Sequence, residues 1–99
     1  MEIGKTANNG ITVLTLSGRL DTVTAPQLQT VLQDALQASG GVELDFADLA
    51  YVSSTGLRVL LLGEKNAKAS GKTITLKNVS PEIMEVLDIT GLSDIFKTV

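Results

Sequence analysis

Ninety-nine residues, 43% of them hydrophobic and 19% charged, are enough for one domain around one core and too few for two. The net charge of −3 disfavours non-specific binding to nucleic acid or to anionic lipid. With no cysteine and no histidine, disulfides, thiolate sites and the commonest general base and metal ligand are excluded, although carboxylate chemistry is not.

Only Phe46, Phe96 and Tyr51 are aromatic, so the core must be aliphatic and little surface remains for stacking bases. The stretch Met1-Glu2-Ile3-Gly4-Lys5 lacks the basic and apolar regions of a signal peptide. No apolar run exceeds the four residues of Val59–Leu62, far short of a membrane span. The expectation is a soluble cytoplasmic protein over residues 1–99, with no membrane insertion and no direct contact with nucleic acid.

In chain order, Glu2–Thr6 reads as a short edge strand, Asn8-Asn9-Gly10 as a tight turn, and Ile11–Leu16 as the returning strand, broken by Ser17-Gly18-Arg19-Leu20-Asp21. Thr24 stands where an N-cap belongs and Pro26 falls in the first turn, where its missing donor costs nothing. Leu28, Val31, Leu32, Ala35 and Leu36 then recur at helical spacing opposite Gln29, Gln33 and Gln37, and Gly40-Gly41 ends the helix. Val42–Phe46 alternates, as does Thr73–Leu76. Parallel strands covered on both faces should be apolar throughout. These predict cover on one face only, with successive βα units carrying their helices on the same side.

Between those strands Leu57, Leu60 and Leu61 form a helical stripe widened by Val59 and Leu62, which implies burial between neighbouring elements. The later part, Glu64–Lys68, reads as polar, and Gly71 as the terminator. Gly63 inside the helix costs up to about 1 kcal/mol relative to alanine and points to close packing. Ser80-Pro81-Glu82 has the cap, proline and acid of a helix start. Ile83, Val86 and Leu87 supply its apolar face and Gly91 its end. Asp94–Val99 reads as a last short strand.

The stretch with a chemical signal is Ser53-Ser54-Thr55-Gly56, at the junction of a strand and a helix. A serine here can cap the helix through its side chain. Standing clear of the cap, it offers its hydroxyl to a kinase, and a phosphate would then lie at the positive end of the helix dipole. The acids expected near this corner are Asp21, Asp45 and Asp48, which could also be turn and cap residues. Carboxylates beside hydroxyls could hold Mg²⁺ for phosphoryl transfer. No phosphate loop accompanies them, because Gly71-Lys72-Thr73 precedes a strand and lacks the upstream glycine.

Ser17-Gly18-Arg19-Leu20-Asp21, the run Leu44–Leu57 with its Ser53-Ser54-Thr55-Gly56, and the Ser-Pro helix ending Thr90-Gly91-Leu92 resemble bacterial anti-sigma factor antagonists, which are single STAS domains. The resemblance implies an α/β fold, a small mixed β-sheet with helices packed on one face. It implies no catalytic residue and no cofactor or metal. It implies instead binding to an anti-sigma factor that is also a serine kinase, which frees a sigma factor. Phosphorylation at the start of the second helix ends the complex, and a serine phosphatase restores it. The family motif puts the phosphorylated serine at Ser54, with Ser53 the alternative, and partner contacts at Asp21, Ser53, Thr55, Gly56 and Arg58. The sequence departs from the pattern at Ser53, where an aspartate is usual, and at Arg58, where a small residue is frequent. Two other readings are a STAS subunit of a transporter or signalling assembly that is never phosphorylated, and a small phosphoryl-transfer enzyme using Asp21, Asp45 and Asp48.

Overall fold

The computed structural model describes all 99 residues. It contains β1 (Glu2–Asn8), β2 (Ile11–Leu20), α1 (Ala25–Ala38), β3 (Gly41–Val52), α2 (Ser54–Ala69), β4 (Thr73–Lys77), α3 (Pro81–Ile89), a 3₁₀ turn (Leu92–Asp94) and β5 (Lys97–Thr98). The strands form one sheet in the order β1-β2-β3-β4-β5. β1 and β2 are an antiparallel hairpin, turned by Asn9 and Gly10 at positive φ. The remaining neighbours are parallel, each joined by a helical crossover as parallel pairing requires. The sheet is therefore mixed, with its helices on one face.

The core follows the alternation of the strands. Leu14, Leu16 and Leu20 of β2, Val42, Leu44 and Phe46 of β3, and Ile74 and Leu76 of β4 are buried beneath the helices. On the other face Thr15, Arg19 and Thr73 are exposed and Val13, Glu43 and Thr75 half-buried. From α1, Leu28, Leu32, Ala35 and Leu36 meet this surface, and from α3, Ile83 and Leu87 do so. Gly63 of α2 lies so close to α1 that a Cβ there would sit 2.5 Å from Leu32 Cδ2. Its helix-propensity cost is thus the condition for close α1–α2 packing.

Two strands run well past their predicted ends, while β1 and β4 exceed theirs by only one or two residues. β2 continues through Ser17-Gly18-Arg19 to Leu20, and β3 runs past Phe46 to Val52. The alternation of β3 hides this because its register against β2 slips twice. Thr15 pairs with Asp45 and Ser17 with Asp48, so two β3 residues oppose Leu16. Gly18 pairs with Leu49 and Arg19 with Tyr51, leaving Ala50 extra. Each slip is a β-bulge, which adds one residue and re-aims those that follow. Burial along β3 accordingly steps from Phe46 to Leu49 to Val52, in threes rather than twos. The Asp45 carboxylate accepts the Ala47 N–H at 3.0 Å and the Asn78 side-chain N–H at 3.0 Å, fixing the first bulge to the turn after β4. These donors, Asn78 foremost, hold the Asp45 carboxyl below the ordinary carboxylate range.

Smaller differences concern α2 and the C-terminal segment. Leu62 is exposed and Leu61 half-buried, while Glu64 and Ala67 turn inward. The stripe is therefore rotated toward Gly56, Leu60, Gly63 and Ala67, because the two glycines are where α2 comes closest to its neighbours. The expected strand over Asp94–Val99 is a 3₁₀ turn followed by only two strand residues.

Glu64 is 6% exposed, and its Oε2 has no hydrogen-bond partner. Burial pushes its carboxyl above the ordinary range, against the opposing pull of Lys68 one turn on. A carboxyl raised in the native state binds its proton more tightly there than in the unfolded chain. Stability is therefore lost as pH climbs from the unfolded value through the raised one. Glu64→Gln removes this ionisation. The variant should be more stable than the parent at about pH 7 and lose that advantage near pH 4, the unfolded range for glutamate. Urea unfolding at both pH values reads this directly, and an advantage independent of pH would contradict it.

Candidate functional site

β2 and β3 end side by side, with Leu20 paired to Val52. The Ser53 N–H donates to the Leu20 carbonyl at 2.8 Å, extending the pairing by one bond before the chain turns into α2. Ser53 keeps extended backbone angles, and its Oγ accepts the Gly56 N–H at 3.2 Å. Its carbonyl accepts the first intrahelical bond, from Leu57, at 2.9 Å. Ser53 is thus the N-cap of α2.

Ser54 is the first helical residue and is exposed, and the cap bond leaves its hydroxyl without an assigned task. Thr55 is half-buried, its Oγ1 3.3 Å from that of Thr22, so the β2–α1 loop touches the first turn of α2. Gly56 is buried against the end of β2. A Cβ there would lie 2.7 Å from Leu20 Cγ and 3.1 Å from the Leu20 carbonyl oxygen.

Asp21 follows Leu20 and shapes the loop that faces this helix start. Its Oδ1 accepts the N–H groups of Val23 at 3.0 Å and Thr24 at 3.1 Å, an Asx-type turn. Thr24 stands at the head of α1, as the sequence predicts, but its side chain does not cap the helix. Its hydroxyl instead accepts the Asp21 N–H at 2.9 Å and donates to the Arg19 carbonyl at 2.8 Å. The Thr24 N–H, then those of Val23 and the Thr24 hydroxyl, with Arg19 last, hold the Asp21 carboxyl below its ordinary range despite some desolvation. Arg19 Nε lies 3.9 Å from Asp21 Oδ2, and its guanidinium sits 4.1 Å from the centre of the Tyr51 ring.

Asp21, Ser53, Ser54, Thr55 and Gly56 therefore share one corner. Arg58, exposed one turn along α2, borders with Ser54 a shallow depression of about 290 Å³ lined also by Leu57, Leu61, Thr90 and Leu92. Asp45 and Asp48 do not join them. Because β3 runs on to Val52, Asp45 lies seven residues upstream of the strand end, roughly 20 Å at the usual rise. Asp48 is exposed mid-strand opposite Ser17. The expected convergence of three acids fails because β3 is longer than its alternation indicates, and with it goes the geometric basis for a carboxylate enzyme at this corner. Thr22 belongs to the neighbourhood without having been singled out by the sequence, and Leu20, Thr90 and Leu92 were named there only as parts of the resembling motifs. Contacts between distant segments leave no local periodicity.

Residues 3–97 match the family described as Mlab, STAS domain. The chain belongs to the STAS domain family. Among curated relatives, the anti-sigma-B factor antagonist of Bacillus subtilis (strain 168) is 33% identical over 80 residues, 81% of this chain and 73% of the relative. That of Staphylococcus epidermidis is 33% identical over 81 residues, 81% of this chain and 75% of the relative. Two solved forms of the Bacillus anti-sigma factor antagonist SpoIIAA share the fold at 21% identity. The unphosphorylated form superposes with a TM-score of 0.84 over 99% of this chain and 88% of its own. The phosphorylated form gives 0.78 over 99% and 91%.

Within this STAS domain the Leu20–Gly56 contact sets the height of the first turn of α2 above the sheet. Gly56→Ala must push Leu20, a fully buried side chain, or lift the helix start. Overpacking of this kind costs about 1–3 kcal/mol, more than the gain of up to about 1 kcal/mol in helix propensity. The variant should be less stable by urea unfolding, and an unchanged or raised midpoint would show that Leu20 repacks freely.

Proposed function

We propose that the protein is an anti-sigma factor antagonist that binds an anti-sigma factor with serine kinase activity through the α2 corner, freeing a sigma factor, and is switched off by phosphorylation of Ser54. The observation that carries this reading is the division of labour between adjacent serines. Ser53 is half-buried with its oxygen committed to the Gly56 N–H, whereas Ser54 is exposed at the head of the helix. The names of the curated relatives support the binding role. The phosphorylated form of a protein of the same fold supports modification. A partner that controls transcription places the protein in the cytoplasm, and a serine phosphatase would reset it.

In the modifying step the Ser54 Oγ attacks the γ-phosphorus of the kinase-bound ATP. The hydroxyl proton passes to a base on the kinase and ADP leaves. The product carries about 1.5 to 2 additional negative charges at neutral pH. No hydrogen bond at the corner needs the Ser54 hydroxyl, so the domain keeps its fold. The charge acts at the interface, where it must be stripped of water against the nucleotide phosphates and acids of the kinase. A charge stripped of water against like charges costs several kcal/mol, enough to turn a tight complex into a weak one.

Ser54→Asp should therefore weaken binding to the cognate kinase by about 100-fold or more, equivalent to nearly 3 kcal/mol. Ser54→Ala should bind as the parent does and resist phosphorylation. Ser53→Ala should still be phosphorylated while losing about 1 kcal/mol of stability with its cap. Calorimetric titration and phosphosite mapping read these outcomes. Undiminished binding by Ser54→Asp would mark a constitutive interaction module, and phosphate on Ser53 would move the switch by one residue.

A further inference from the structure

Arg58 is the only basic residue in the first two turns of α2 and it is exposed. Its guanidinium is unclaimed, since the one ion pair in the structure joins Arg19 to Asp21. The positions three and four residues away on its helix face, Ser54, Thr55, Leu61 and Leu62, include no carboxylate. Ser54 and Arg58 stand in the i and i+4 relation, about 5–6 Å apart at Cβ. Side chains on a helix lean toward its N-terminus and cover the preceding turn, which puts Ser54 within the reach of Arg58. An acid at i with a base at i+4 is the favoured order for such a pair. Both residues border the same shallow depression, lined on one side by Leu57, Leu61 and Leu92.

We propose that Arg58 is an intramolecular clamp for phosphate on Ser54, holding the modified side chain along α2 and withdrawing the guanidinium from the partner surface. The inference rests on Ser54 being the modified residue. It involves no covalent step beyond that modification: two guanidinium N–H groups donate to two phosphate oxygens, the planar fork that arginine offers and lysine does not. Off-switching then has two components, a charge added to the interface and a cation removed from it.

The test uses the whole chain with phosphoserine installed at position 54 by genetic encoding, so that no kinase is needed. Phosphorus NMR follows the second ionisation, whose ordinary pKa is about 6. In the parent it should fall by about half a unit, a roughly threefold gain in acidity. Arg58→Gln should lose this half unit and keep only what the helix N-terminus contributes, and Arg58→Lys should recover only part of it. Arg19→Gln, which alters the other arginine near the corner, should leave the shift intact. Thermal melts of the unmodified proteins establish that each variant folds. The same ionisation in the parent, Arg58→Gln and Arg58→Lys would overturn the clamp while leaving the switch untouched. A native protein that never carries phosphate on Ser54 would defeat the switch, while the encoded phosphoserine would still report on the clamp.

Discussion

The corner of this STAS domain depends on keeping two strands of unequal length in step. β3 carries two residues more than β2 over their shared path. In a strand with period two, a single unmatched residue turns every later side chain to the opposite face. The bulges between Asp45 and Asp48 and at Ala50 absorb the surplus, so that Leu49 and Val52 lie buried beside Gly18 and Leu20. With only one of them Val52 would face solvent; with neither, Leu49 would turn outward and Val52 would overrun Leu20 by two residues. Asp45 is central here, because its carboxylate satisfies the N–H that the first bulge frees.

From that register the geometry of the helix start follows. With Val52 opposite Leu20, the Ser53 N–H reaches the Leu20 carbonyl, and the first turn of α2 descends until Gly56 meets the Leu20 side chain. The loop after β2 is held separately by Asp21 and Thr24, whose hydrogen bonds fold it back on itself and present Thr22 to Thr55. Each structural demand at the corner is met by a residue other than Ser54. The cap falls to Ser53, the close approach to Gly56, the loop to Asp21 and Thr24.

Much of this was legible in the chain. The stripe of α1, the Ser80-Pro81 start of α3 and the breaks at Gly10, Gly71 and Gly91 are local signals, and the structure has each of them. One-sided cover of the sheet followed from Glu43 and Asp45 alternating with Val42, Leu44 and Phe46. The second half of β3 was not legible. Its bulges replace alternation with a step of three, and Ala47-Asp48 reads as turn chemistry when its neighbours are unknown. That misreading alone brought Asp45 and Asp48 toward the corner. Glu64 was misplaced for a related reason, because the face of α2 that turns inward is decided by the glycines that let Leu20 and Leu32 approach. The role of Gly56 is visible only once Leu20, thirty-six residues earlier, is seen against it.

A hydroxyl free of structural duty can be modified at small cost to the fold, and this determines where the energy of modification appears. If Ser54 had been the cap, phosphorylation would have altered an α2 hydrogen bond, and stability and binding would have changed together. As the cap is Ser53, the free energy of a charge added at Ser54 would be expressed almost wholly between the phosphate, its immediate neighbours and whatever docks on the corner. Under the proposed phosphorylation of Ser54, the state of the switch would be set by competition for charge: partner acids against phosphate for Arg58, and water against the interface for the phosphate itself. Both competitions would play out on a platform of paired strand ends and a capped helix. On that proposal a single residue would govern association while the core beneath it stays the same.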